Sequence, residues 1–219
     1  MKMTHSLPFA RFYAAAALMV AGLGLSSCGP LISFGEDGPG DKVYSLKYAG
    51  GYENAPADAP VIYIDEPHMA DALAGQKITV ALPGDKRSTL SGARWAAPLS
   101  ALVRDYTARA LSHKAGVHMI GEGGLDIHVA CRLGTKVWSF EFAPAEDASG
   151  DHVLIALELS LVRLADGKLL SHPTFTKTTP VRASSGDAVA AAFSEAMASV
   201  GDDMGRWLEG QIASCTGTM

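Results

Sequence analysis

Val153, Ile155, Leu157, Leu159 and Leu161 stand at every second position of the run 153–164. Strand side chains alternate between faces, so this run presents one continuous apolar face that another layer must cover. The run leads into Ala165-Asp166-Gly167-Lys168, and Asp-Gly is the strongest short hairpin signal because both residues accept positive φ. The returning strand covers about 168–178, and Pro173 inside it removes a ladder donor, which makes that strand an edge or a bulged one.

Further strands follow from the same period. Leu125, Ile127, Val129, Cys131 and Leu133 alternate with polar or small residues, and Trp138, Phe140 and Phe142 alternate with Ser139 and Glu141. Short β-rich runs lie at 42–46, 61–65, 77–82 and 88–95. Residues 49–60 read as a loop, Pro83-Gly84-Asp85 as a turn. Gly121-Glu122-Gly123-Gly124 is also a turn: a strand follows rather than a helix, and no Lys-Ser/Thr completes a phosphate loop.

Two helices supply the cover. The first starts at Pro98, whose missing N–H is unneeded in a first turn, and stops at Gly116. Leu99, Leu102, Val103, Tyr106 and Ala110 form its apolar face, with Arg104, Asp105 and Arg109 opposite. The second follows Ser184-Ser185-Gly186-Asp187, with a stripe of Val189, Phe193, Met197, Val200, Met204, Trp207 and Leu208. Gly201 and Gly205 weaken that helix without interrupting the stripe. The fold class is therefore α+β: a mixed, largely antiparallel sheet covered by two long amphipathic helices, one domain over 42–212, with a frayed tail at 213–219.

The N-terminus is an address rather than part of the fold. Lys2 and Arg11 precede the uncharged run 12–25, and no acidic residue occurs before Cys28. At about 1.5 Å per residue such a helix falls short of the roughly 30 Å hydrocarbon core, so 1–27 reads as a signal peptide. The run closes in Leu25-Ser26-Ser27-Cys28, which resembles a bacterial lipobox. Cys28 is the expected lipid attachment site: its thiol takes a diacylglycerol, and after cleavage its amine takes an acyl chain such as palmitate. Residues 28–41 are then the acylated Cys and a flexible Gly/Pro-rich tether. The chain carries 18 basic and 23 acidic residues. That balance offers no basic footprint for nucleic acid.

Two other cysteines enter an oxidising compartment, Cys131 on the apolar side of its strand and Cys215 after the second helix. They either pair or remain two free thiols. Arg94 and Trp95 either present a partner surface or anchor the structure, with Trp95 packed under the first helix. His68, His113, His118, His128, His152 and His172 have no helical i, i+4 spacing with an acid, so no metal site is expected. No nucleophile–base set emerges from spacing, so no catalytic residue is expected. The acidic polar side of the second helix is the wrong charge for an anionic bilayer.

Gly92-Ala93-Arg94-Trp95-Ala96-Ala97-Pro98-Leu99 resembles the segment that introduces the first long helix of the ABC-type transport auxiliary lipoproteins, the PqiC-like family. Val43-Tyr44-Ser45-Leu46, the Asp166-Gly167 turn and the closing Arg206-Trp207-Leu208 are similar too, so the likeness spans about 42–210. The departures are 66–76 and the tail after Ile212. The resemblance implies a non-catalytic periplasmic lipoprotein that serves an MCE-type ABC transporter trafficking (phospho)lipid between inner and outer membranes. Its implied partners are the membrane through the anchor, an MCE-domain protein with permease and ATPase, and further copies of itself, with no nucleic acid. No cofactor is implied beyond the chains on Cys28. Gly29 rather than Asp after the acylated Cys favours the outer membrane, with the periplasmic face of the inner membrane as the alternative. The competing reading of function is a structural or assembly lipoprotein of the outer membrane.

Overall fold

The computed structural model describes residues 40–51, 55–121, 127–145 and 150–217. The signal peptide, Cys28 and the tether up to residue 39 lie outside the described residues, as do 122–124 of the expected glycine turn and Leu125. In chain order the elements are β1 (Lys42–Tyr44), β2 (Val61–Ile64), β3 (His68–Met69), α1 (Asp71–Ala74), β4 (Lys77–Leu82), β5 (Lys86–Trp95), α2 (Leu99–Ala115), β6 (His118–Ile120), β7 (Cys131–Ala143), β8 (His152–Arg163), β9 (Lys168–Ser171), β10 (Thr174–Pro180), α3 (Gly186–Glu209) and α4 (Ile212–Thr216).

All of these strands join one mixed sheet organised on β7. One edge of β7 carries the long antiparallel ladder to β8, from Cys131↔Arg163 to Ala143↔His152. The other edge is shared in succession by three short parallel partners: β2 opposite Cys131 to Leu133, β3 opposite Lys136 and Val137, and β4 at Val80↔Phe142. The β4–β5 hairpin turns through Gly84 at φ 71° and Asp85 at φ 58°, left-handed values that Gly and Asp reach most cheaply.

The two long helices cover the apolar face. Val153, Ile155, Leu157, Leu159 and Leu161 are fully buried, and so are Leu99, Val103, Tyr106, Val189, Phe193 and Met197 from above. Pro98 caps α2, and Gly116 ends it in the left-handed conformation at φ 61°. The Ser185 hydroxyl accepts the Ala188 N–H at the start of α3. At the centre the Phe140 and Phe193 rings stack with centroids 4.7 Å apart, and Trp95 meets both edge-on at 5.9 and 5.4 Å.

Several expectations are corrected. The runs 125–133 and 138–142 are not two strands: β7 is continuous from Cys131, and the described residues before it, 127–130, form no strand, with Ile127 half exposed. A bulge lies between Val137 and Ser139, so Trp138 has no ladder partner on β8. One extra residue reverses the in/out phase, which places Cys131, Leu133 and Val137 inside before the bulge and Phe140 and Phe142 inside after it. Trp138, expected on the buried side, is therefore 51% exposed. The return strand is an edge as expected, but Pro173 divides it into β9 and β10. The tail does not fray at 213. Residues 212–216 form α4, with Cys215 buried. β3, β6 and α1 are too short to leave a periodic signal.

Candidate functional site

Cys131 opens β7 with its side chain on the inner face, because it shares the odd phase of Leu133 and Val137. α4 crosses the same end of the sheet and carries Cys215. The two sulfurs are joined in a disulfide with Cα atoms 5.6 Å apart. Both residues are buried. The bridge fixes the chain's last helix to the start of the central strand.

A second clamp lies beside it. Arg163, the last residue of β8, donates from Nε and Nη2 to the two Asp166 carboxylate oxygens at 3.0 and 2.7 Å. Its third nitrogen, Nη1, donates to the Ser214 carbonyl of α4 at 3.1 Å. Asp166 also accepts the Lys168 N–H, which closes the β8–β9 turn with Gly167 at φ 69°. The Arg163 hydrogen bond holds the Asp166 carboxyl down at about 2, and Asp166 in turn raises the guanidinium. Both groups stay ionised throughout the physiological range.

Between these clamps is a hollow of about 660 Å³, within the 300–1,000 Å³ span of small-molecule sites. Its walls are mainly apolar: Pro60 and Val61 at the entry to β2, Val129 and Ala130 before β7, Leu164 and Ala165 in the turn. Cys215 to Gly217 form the remaining wall, and its polar members are His128, the Arg163–Asp166 pair and Thr216, whose hydroxyl donates to the Ile212 carbonyl.

The chain enters the domain elsewhere. Lys42 Nζ and Tyr44 Oη both donate to the Asp187 carboxylate, at 2.7 and 2.8 Å, in the first turn of α3. Those two bonds, Lys42 first, hold the Asp187 carboxyl below its ordinary value. The hollow lies beyond the last turn of α3, and its 24 residues make a rod of about 36 Å.

Trp95 is 1% exposed within the aromatic cluster, which leaves it no surface to offer a partner and makes it a structural anchor. Arg94 is half-buried; its Nη1 donates to Gln76 Oε1 and to the Trp95 carbonyl. The indole that does face solvent is Trp138, with Lys136 Nζ 3.5 Å from the ring centroid. Its Nε1–H donates to Glu158 at 3.0 Å, and Glu158 also pairs with His172. The other histidines are dispersed: His113 bonds Tyr48, His118 the Pro56 carbonyl and His152 the Gly150 carbonyl. Among the described residues no group of three or more His, Cys, Asp or Glu side chains is placed to hold a metal. None of their helices is long and apolar enough to cross a membrane.

Spacing alone does not assemble the hollow or its Arg163–Asp166 clamp, and in the sequence Asp166 reads only as half of a hairpin dipeptide. The available signal is Arg163 at i−3 to Asp166, a lone charge closing the odd phase that Val153, Ile155, Leu157, Leu159 and Leu161 otherwise fill with apolar side chains.

Residues 44–205 match the family model described as ABC-type transport auxiliary lipoprotein component. Among solved structures, protein XCC0632 from Xanthomonas campestris superposes with a TM-score of 0.67 at 24% identity, over 80% of this chain and 99% of that one. Hypothetical protein CT253 from Chlamydia trachomatis superposes at 0.50 with 8% identity, over 71% and 99% of the two chains. At these identities the likeness is one of fold. No curated protein matches the chain.

Proposed function

The chain belongs to the ABC-type transport auxiliary lipoprotein component family, and on that premise we propose that it is the accessory subunit of an MCE-type ABC transporter. In this reading it moors itself through acylated Cys28, breaks no bonds of its own, and works by contact with an MCE-domain protein, a permease and an ATPase. The cargo is (phospho)lipid passing between the inner and outer membranes.

The observation that carries the reading is the extent of the family match. It runs from β1 into the last turns of α3, so it covers the sheet, the helix pair and the aromatic centre rather than one motif. The sequence Leu25-Ser26-Ser27-Cys28 ahead of a Gly/Pro-rich stretch supports an acyl anchor, and Gly29 supports outer-membrane placement. Thirteen residues, even fully extended, span at most about 45 Å, so the subunit needs partners to act across the envelope.

The test is crosslinking in intact cells followed by purification of the full-length acylated protein. Recovery of an MCE-domain protein together with a permease and an ATPase is expected, with loss of that recovery when Cys28→Ser prevents acylation. Recovery of outer-membrane assembly proteins alone, in a deletion strain with normal lipid distribution, would replace this reading with the structural one.

A further inference from the structure

We propose that the hollow beside the Cys131–Cys215 disulfide is a binding site for a single aliphatic chain. The walls decide the chemistry. Polar groups that line a site for a peptide, sugar or nucleotide must be free to bond it, because a buried donor or acceptor left unpaired costs more than the bond returns. Here many of them are already engaged inside the protein. Pro60 has no N–H, and its carbonyl accepts the His118 N–H. The Val61 carbonyl accepts from Ala130, and the Ala130 carbonyl accepts from Leu164. The N–H groups of Cys215 and Gly217 bond the Gln211 and Ala213 carbonyls. All three Arg163 nitrogens are used, two on Asp166 and one on Ser214.

Most of the surface that remains to meet a ligand is apolar, from Val61, Val129, Leu164 and Ala165. A hydrocarbon chain asks for no hydrogen bond, and burial of its surface is the main gain this site offers. At roughly 30 Å³ for a water-sized group, a 660 Å³ hollow accommodates one chain of ordinary length. A polar head would stay at the mouth beside His128 and the self-neutralised Arg163–Asp166 pair. The wall opposite Val61 belongs to α4, which the disulfide and the Arg163–Ser214 bond hold in place. The site is thus built by the tail of the chain. This inference deepens the transport reading by naming what the subunit handles, and it rests on that reading only for the source of the chain.

The experiment uses the full-length acylated protein held by its own anchor in phosphatidylcholine vesicles. One arm adds free C16 fatty acid bearing a diazirine; the other replaces part of the lipid with phosphatidylethanolamine bearing the diazirine on one acyl chain. After irradiation the label is mapped by peptide mass spectrometry. Labelling within 59–61, 128–130, 163–166 and 215–217 is expected in at least one arm, and the arm identifies the source. Ala165→Trp, on an exposed turn, fills the hollow and reduces that labelling by about ten-fold or more. Leu164→Asp, which places a charge in the wall, does the same while the disulfide stays formed. Label confined to other peptides in both arms, or label at the hollow that neither variant reduces, overturns the proposal. Labelling at the hollow without recovery of transporter subunits on crosslinking in cells overturns the transport reading and leaves this site standing.

Discussion

Gly205 of α3 lies so close to Lys114 of α2 that the position has no room for a methyl group: a Cβ there would come within 2.7 Å of the Lys114 Cβ and 2.8 Å of its Cδ. One turn earlier, a Cβ on Gly201 would meet Tyr106 Cε1 at 3.2 Å and Ala110 Cβ at 3.4 Å. The two glycines let the helices approach, and Lys114 Nζ then reaches Asp202 at 2.5 Å.

Gly205→Ala is expected to destabilise the domain by about 1–3 kcal/mol, because overpacking against the root of a side chain outweighs the roughly 1 kcal/mol that Ala gains in helix propensity. Gly201→Ala meets a ring edge with a few tenths of an ångström to give, so its cost is the smaller. Urea denaturation of the two variants side by side checks the order. Equal stabilisation of both would mean that the glycines only weaken α3.

The tail helix α4 has few contacts of its own and depends on the bridge. Cys131 and Cys215 are 84 residues apart in sequence, and closing a loop of that length contributes about 2–4 kcal/mol. The Cys131→Ser/Cys215→Ser pair should lower the Tm by roughly 5–15 °C. It should also make the 210–217 segment protease-sensitive, while the far-UV spectrum barely changes. Calorimetry with and without reductant on the natural chain should give the same difference. A Tm insensitive to reductant, with the disulfide shown to be reduced, would contradict the role assigned to it.

Trp95 and Trp138 make opposite predictions. Phe193→Ala removes a ring from the stack under Trp95 and should cost about 3–5 kcal/mol. Trp138→Ala removes an indole that is half in solvent, and should change stability by less than about 1 kcal/mol. Acrylamide quenching of the natural protein and the Trp138 variant makes the distinction, with the most readily quenched component lost in the variant while buried Trp95 and half-buried Trp207 remain.

The frame was legible where periodicity is strong. Both long helices, the strand at 153–163 and the hairpin at Asp166-Gly167 follow from spacing and turn chemistry alone. β7 was misdivided for a physical reason. Its apolar positions Cys131, Leu133 and Val137 are odd while Phe140 and Phe142 are even. A change of phase inside one run is how a bulge is spelled, and it also turns a Trp outward. The hollow could not be read, because its walls come from residues 59–61, 128–130, 163–166 and 215–217, segments that only the sheet and the disulfide bring together.

The Arg163–Asp166 clamp carries a pH dependence whose sign is fixed. Its carboxyl titrates at about 2 in the folded chain and near 3.9 when unfolded. A depressed carboxylate contributes stability that is fully present above about pH 4 and is lost as pH falls toward 2. Asp166→Asn should therefore be less stable than the natural protein at pH 5, with the gap in Tm closing between pH 4 and 2 as the natural carboxyl takes up its proton. The same variant turns one of the two oxygens that accept from Arg163 into an amide donor while leaving the bond to Ser214, so α4 stays docked at pH 7. Melting curves of both proteins from pH 5 to 2 provide the check. A gap of constant size across that range would show that the pair contributes no stability through ionisation.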